Sequence, residues 1–99
     1  MTIIEIARFK LKAGADEQAF LDAEKELMNG QIRHQPGFIS RQAAKGENSE
    51  WVVVLQWASA KDAEAWTPKF MQDPNGQAFA AQLDFSSMKQ DRYSLITFE

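Results

Sequence analysis

Glu50-Trp51-Val52-Val53-Val54-Leu55-Gln56-Trp57 runs directly into Ala58-Ser59-Ala60-Lys61-Asp62-Ala63-Glu64-Ala65-Trp66, and this stretch decides the fold. Its first half is rich in β-branched and aromatic residues, which predicts a strand. Its second half predicts a helix capped by Ser59, with Asp62 placed to return a bond to the cap. Because the strand has apolar residues on both faces, it is expected to lie inside a sheet that is covered on both sides. The stretch therefore predicts a partner subunit as well as a sheet.

The segments on either side of this stretch alternate between strands and helices. Two points stay open: the first helix ends at Asn29-Gly30 or continues towards Pro36, and Pro68 is tolerated in the second helix or shortens it. The predicted elements are a strand at 3–11, a helix capped by Asp16, a strand at 38–44, the strand at 50–57, a helix after Ser59, a short helix at 77–83 and a strand at 88–98.

This order predicts the α+β ferredoxin-like βαββαβ plan, a four-stranded antiparallel sheet with its helices on one face. We expect a single domain over residues 1–99, since the chain has 99 residues and no room for a second core. The other face of the sheet also carries apolar residues. Sheet-to-sheet packing of two subunits, which forms a dimeric α/β barrel, is the simplest way to cover it.

Composition excludes several classes of function. The chain is 44% hydrophobic and 25% charged, as soluble globular proteins are, and it has no cysteine for disulfides or thiolate chemistry. A net charge of -3 argues against a nucleic-acid partner. Neither a basic leader nor an apolar run of membrane-spanning length is present, so we expect no membrane association and a cytoplasmic location.

Three motifs carry a resemblance to a known family. They are Gln35-Pro36-Gly37-Phe38 before the second strand, the run from Trp57 to Trp66, and Gln77-Ala78-Phe79. With these motifs the chain resembles the dimeric α/β-barrel superfamily and, within it, the antibiotic-biosynthesis-monooxygenase-like proteins. The resemblance covers nearly the whole chain and implies a barrel with helices outside. It does not select one activity, because members include cofactor-free monooxygenases of polyphenols, haem-degrading oxygenases and isomerases.

Haem degradation is disfavoured within this resemblance. The haem-degrading branch has a Trp at the place of Trp66, an Asn in the first strand and a His on the second helix. Here the Asn position falls on Ala7, and no His follows His34. Without that axial ligand we expect no haem and no other cofactor, and a lone His without Cys also predicts no metal site.

Glu5 and His34 are the candidate catalytic residues. Strand alternation places Glu5 with Ile3, Ala7 and Phe9 on one face, and the resemblance, through the Ala7 position, implies that this face looks towards the helices. A carboxylate there can act as a general base for a phenolic or enolic proton. His34 is the only imidazole, the side chain that titrates nearest neutral pH. The structural alternatives are a strand carboxylate paired with an arginine, and a histidine at a helix end or in a surface loop.

The candidate substrate-binding residues are aromatic side chains and one arginine. They would stack on a planar ligand, orient it through the Tyr93 hydroxyl and hold an anionic group, although packing in the core and dimer interface and Arg–acid pairing are the alternatives. These residues are Trp66, Phe70, Phe79, Tyr93 and Arg41. The resulting hypotheses are a cofactor-independent monooxygenase of a phenolic or quinol-type substrate and a non-catalytic ligand-binding or interaction module of the same fold.

Overall fold

The computed structural model describes residues 1–98. Their elements are β1 (Ile3–Leu11), α1 (Glu17–Gly30), β2 (Phe38–Lys45), β3 (Glu50–Trp57), α2 (Ala60–Gln72), α3 (Pro74–Ala80) and β4 (Leu83–Ser94), with a 3₁₀ turn at Ile32–His34. The strands form one antiparallel sheet in the order β2-β3-β1-β4. This confirms the predicted ferredoxin-like plan, with β3 and β1 in the middle of the sheet.

The burial of β3 alternates residue by residue. Trp51, Val53, Leu55 and Trp57 are buried, whereas the residues between them are only half-buried. The buried face packs against the helices through contacts such as Phe20 on Trp51 and Trp66 on Trp57. The core of this chain therefore lies on one side of the sheet.

The opposite face of the sheet has no cover within residues 1–98. Its centre consists of the half-buried, directly paired Ile6 and Val54, with Ile4 and Val52 beside them. Charged and amide side chains at the neighbouring positions, among them Arg8, surround this apolar centre. The two-faced character of β3 that the sequence indicates is thus present in the folded chain.

The helix starts follow the predicted caps. The Asp16 side chain accepts a hydrogen bond from Gln18 N, and the Ser59 hydroxyl accepts one from Asp62 N while donating to the Asp62 carboxylate. α1 ends at Gly30 and is followed by the separate 3₁₀ turn. Pro68 lies inside α2 without interrupting it.

Two predicted elements begin and end at other residues than expected. The short helix was expected at 77–83 but spans Pro74–Ala80, because the Asp73 side chain caps it and Pro74 occupies its first turn, where no amide hydrogen is needed. The last strand was expected at 88–98 but spans Leu83–Ser94. Its first residues, Leu83 and Asp84, pair with the end of β1 after a register shift between Arg8 and Lys10.

No helix within residues 1–98 is long and apolar enough to cross a membrane.

Candidate functional site

One cross-strand row on the helix-facing side of the sheet carries the charged groups of the site. Arg92 pairs with Glu5, Glu5 with Leu55, and Leu55 with Arg41, so the row crosses all four strands. With neighbouring strands about 4.8 Å apart, the Cα atoms of the two arginines are roughly 14 Å apart. Alternation along each strand places these four residues on one face. The sheet thus presents a carboxylate and an apolar residue between two guanidinium groups.

The adjacent row supplies the space for a cavity. Ala7 pairs with Val53, and these small side chains lie between Glu5–Leu55 on one side and Phe9–Trp51 on the other. The resulting cleft lies between the sheet, including its edge strand β4, and the helices α2 and α3. It has a volume of about 490 Å³. Small-molecule sites have volumes of about 300–1,000 Å³, so the cleft has room for a ligand of two or three fused rings.

Aromatic side chains from α2 and α3 form the wall opposite the sheet. Trp66 contacts Phe70 with ring centroids 5.5 Å apart, and Phe70 contacts Phe79 at 5.9 Å, both with edge-to-face geometry. All three line the cavity, together with Thr67 and Met71 of α2. Trp66 and Phe79 are buried. These rings belong to the core and also face the cavity, so packing and ligand contact are not exclusive roles for them.

Glu5 lines the cavity and is held by donors on both sides. The indole Nε1 of Trp57 donates to Oε1 at 3.1 Å, and Nε and Nη2 of Arg92 donate to Oε2 at 3.3 and 3.0 Å. The Glu5 side chain remains 26% exposed. A carboxylate offers about four acceptor positions, so Oε1 keeps one that Trp57 does not use. The arginine pairing considered from the sequence is therefore present, and it orients the carboxylate in the cavity wall.

Arg92 has a second carboxylate partner. Its Nη1 donates to Oε1 of Glu64 on α2 at 3.3 Å, which links β4 to the helix at the rim of the cavity. The Glu64 side chain is 66% exposed, and this residue does not line the cavity. Arg92 therefore has one anchored partner, Glu5, and one solvent-exposed partner, Glu64.

Arg41 forms the second guanidinium–carboxylate pair of the site. Its Nε and Nη2 donate to the two carboxylate oxygens of Glu24 at 2.8 and 2.7 Å, and its guanidinium carbon lies 5.4 Å from the centre of the Phe79 ring. The two side chains of the pair are only 6% and 15% exposed. This bidentate geometry leaves Nη1 outside the pair, and Arg41 lines the cavity. The site thus holds two neutral ion pairs in its polar wall.

The structure brings most of the predicted site residues together but leaves two apart. His34 lies in the 3₁₀ turn, exposed, with Nε2 3.1 Å from the carbonyl oxygen of Asn29, and it does not line the cavity. Tyr93 pairs with Ile4 and faces the uncovered side of the sheet, 50% exposed. The lining residues from the predicted set are Glu5, Arg41, Trp66, Phe70 and Phe79.

β4 contributes further residues to the lining of the cavity. Met88, Gln90 and Arg92 line the cavity at alternate positions of this strand, and Leu83 and Phe85 line it nearer the strand start. A spacing of two residues is the signal that could have found the first three. The predicted strand at 88–98 already contained these three residues, whereas Leu83 and Phe85 precede its expected start.

Metal ligands are not clustered in the described part of the chain. Within residues 1–98, no group of three or more His, Cys, Asp or Glu side chains is arranged to hold a metal ion. Glu5, Arg41 and Arg92 of the cavity wall are instead engaged in arginine–carboxylate pairs.

Comparison with known protein families gives a match over most of the chain. Residues 2–69 match the family model described as antibiotic biosynthesis monooxygenase. The chain belongs to this family. The matched region contains Glu5, Arg41 and Trp66 and ends before α3 and β4. The family resemblance stated from the sequence motifs is confirmed.

Solved structures of low sequence identity share the fold of this family member. SnoaB, a cofactor-independent oxygenase from Streptomyces nogalater, is 14% identical with a TM-score of 0.78, covering 98% of this chain and 95% of its own. A putative antibiotic biosynthesis monooxygenase from Nitrosomonas europaea is 17% identical with a TM-score of 0.74, covering 96% and 90%. A conserved protein from Methanosarcina mazei Go1 is 13% identical with a TM-score of 0.73, covering 94% and 91%. No curated protein sequence matches this chain.

Proposed function

We propose that this protein binds a planar, oxygen-bearing aromatic molecule in the cavity and acts on it as a cofactor-independent monooxygenase of phenolic or quinol-type substrates. The observation that carries the proposal is a cavity with aromatic rings on one wall and the Arg92–Glu5–Leu55–Arg41 row on the other. The aromatic side chains stack on the ring system of the ligand, and the polar row forms hydrogen bonds with the oxygen substituents at its edge. Family membership and the fold shared with SnoaB support the reaction class.

Glu5 is the proton acceptor of this proposal. The acceptor position left on its Oε1 suits a phenolic hydroxyl donor, and the bonds from Trp57 and Arg92 fix the carboxylate before the ligand arrives. Removal of the hydroxyl proton makes the substrate electron-rich enough to reduce dioxygen. One oxygen atom then enters the substrate, the other leaves as water, and the reduced substrate supplies the electrons. The chain contributes a proton acceptor, orientation and exclusion of water.

Oxygen consumption by a panel of naphthohydroquinones and polyphenols tests the activity. Glu5→Gln removes the acceptor charge and should lower turnover by about 10²–10⁴-fold, the usual contribution of a general base. His34→Ala is the matched control and should leave turnover unchanged, because His34 lies outside the cavity. Unchanged turnover in Glu5→Gln, with product formed above background in both variants, would contradict the role of Glu5.

A non-catalytic ligand-binding module is the second candidate. It is favoured by the engagement of Glu5 with Arg92 and Trp57 and by the position of His34, because together they leave the cavity with few free proton carriers. Under this alternative, naphthoquinones quench the fluorescence of Trp66 saturably, but no member of the panel consumes oxygen above background. Saturable binding with oxygen consumption supports the first candidate, and binding without it supports the second.

The functional unit of the proposal is a homodimer formed through the uncovered sheet faces. Ile4, Ile6, Val52 and Val54 provide an apolar centre that water contacts in the isolated chain. Burying such a centre against a second copy contributes about 25 cal/mol per Å² of apolar area removed from water. The homodimer also explains why apolar residues are present on both faces of a strand in the middle of the sheet.

A further inference from the structure

We propose that Glu64 competes with the ligand for Arg92, so that the Arg92–Glu64 ion pair is a latch that opens when an acceptor oxygen of the ligand replaces the Glu64 carboxylate. This inference rests on the proposed binding of a ligand in the cavity. It adds a residue outside the cavity that tunes affinity, and it names the ligand group recognised there, an acceptor oxygen such as the carbonyl oxygen of a quinone.

The two partners of Arg92 differ in how firmly they are held. Glu5 is a direct cross-strand neighbour, accepts two bonds from Arg92 and is itself held by the indole of the fully buried Trp57. Glu64 accepts one bond at 3.3 Å from an exposed position on α2. Exposed ion pairs contribute little because solvent competes for both charges and ordering the side chains costs entropy. Glu64 is therefore the partner that exchanges.

The exchange leaves a site prepared for an acceptor oxygen. Arg92 lines the cavity, and when Glu64 turns into solvent its Nη1 loses its carboxylate partner while Glu5 still fixes the guanidinium plane through Nε and Nη2. The anchored pair is neutral, so the free nitrogen donates a hydrogen bond without an uncompensated positive charge. That arrangement suits a neutral carbonyl oxygen as well as a phenolate.

Competition between Glu64 and the ligand predicts whether a mutation outside the cavity raises or lowers the affinity for the ligand. The apparent affinity is the intrinsic affinity multiplied by the fraction of molecules in which Arg92 is free of Glu64. An exposed ion pair changes the equilibrium between the paired and free states by about 1.5- to 5-fold. Glu64→Gln weakens the pair and should tighten binding by a factor in that range. Arg92→Gln removes the donor fork and should weaken binding by about tenfold or more, which corresponds to the loss of a hydrogen bond to a charged group.

Titration with menadione, a neutral naphthoquinone, tests the latch through quenching of tryptophan fluorescence. The matched control is Glu17→Gln, which weakens another exposed pair, Glu17–Lys45, away from the cavity and should leave affinity unchanged. Salt gives a second readout, because screening weakens the exposed pair. Raising the ionic strength should tighten menadione binding to the wild type and leave Glu64→Gln unaffected.

The outcomes separate the latch from the proposed function. If the wild type shows no saturable quenching with menadione or with any quinone of the panel, ligand binding in the cavity itself is overturned. If the wild type binds but Glu64→Gln binds equally or more weakly and the salt effect is the same in both, the latch is overturned while the proposed function stands. Tighter binding in Glu64→Gln alone, together with loss of the salt effect, supports the latch.

Discussion

The indole nitrogen of Trp57 donates a 3.1 Å hydrogen bond to the Glu5 carboxylate, and this bond joins the core to the candidate site. Trp57 is fully buried and packs edge-to-face on Phe38 and against Trp66. The residue that closes the core at the end of β3 therefore also orients the carboxylate in the cavity wall. Stability and function are expected to change together at this position.

Trp57→Phe should lower the free energy of unfolding by about 2–4 kcal/mol. The substitution creates a cavity in the core and removes one donor from Glu5. Urea denaturation followed by circular dichroism measures the change. Glu26→Gln, at an exposed position on α1, should change the free energy of unfolding by less than about 0.5 kcal/mol. A Trp57→Phe variant as stable as Glu26→Gln would show that neither packing nor the indole bond matters here.

Glu24→Gln should destabilise the protein by about 3–5 kcal/mol, because it leaves the guanidinium of Arg41 buried without its counter-charge. The matched control is Glu17→Gln, whose partner Lys45 is exposed and whose loss should cost about 0–1 kcal/mol. The double variant Arg41→Met with Glu24→Leu should recover much of the lost stability, since it removes both charges. Equal effects of the two single variants in thermal unfolding would contradict the buried pair.

Gly37→Ala should cost considerably more stability than Gly14→Ala. Both glycines have positive φ, 79° and 77°, a conformation that costs an L-residue about 1–2 kcal/mol. At Gly37 a Cβ atom would also overlap the Asp62 side chain at the start of α2, whereas at Gly14 nothing lies nearby. We expect an additional loss of at least about 1–2 kcal/mol for Gly37→Ala. Equal unfolding midpoints for the two variants would mean that α2 moves away without cost.

Val54→Asp should convert the proposed homodimer into a monomer at low micromolar concentration, because it places a charge at the centre of the uncovered sheet face. Sedimentation velocity measures the state of association, and circular dichroism checks that the chain remains folded. The control is Lys61→Glu on the exposed surface of α2, which should leave the association state unchanged. A wild-type monomer at this concentration would overturn the homodimer directly.

Local sequence signals predicted most of the fold. Asp16 and Ser59 bond to backbone amides in the first turns of the helices that they cap. These helix starts can therefore be predicted from nearby residues alone. The side-chain patterns of Ile3–Leu11 and Glu50–Trp57 likewise predicted two strands, and the two apolar faces of Glu50–Trp57 placed that strand inside the sheet. The start of β4 was predicted too late because its pairing with β1 passes a register shift, which the sequence of β4 alone does not specify.

The candidate site was predictable in part for the same reason. Period-two alternation put Glu5 on one face of its strand, the family resemblance implied that this face looks towards the helices, and helical spacing joined Trp66 to Phe70. The sequence could not exclude His34 from the candidate site, because the turn after α1 decides where this residue lies. It also could not pair Arg92 with Glu5, since strand register is set by contacts between distant parts of the chain.

The sequence by itself determined that Glu50–Trp57 is a strand with two apolar faces, flanked by a helix that Ser59 begins. That conclusion depends only on side-chain periodicity and capping, which are local. Only the tertiary structure decided that Arg92, Glu5, Leu55 and Arg41 share one row, and that small Ala7 and Val53 leave a cavity beside it. Register and packing bring together residues from four strands, and no local pattern encodes a distance between them.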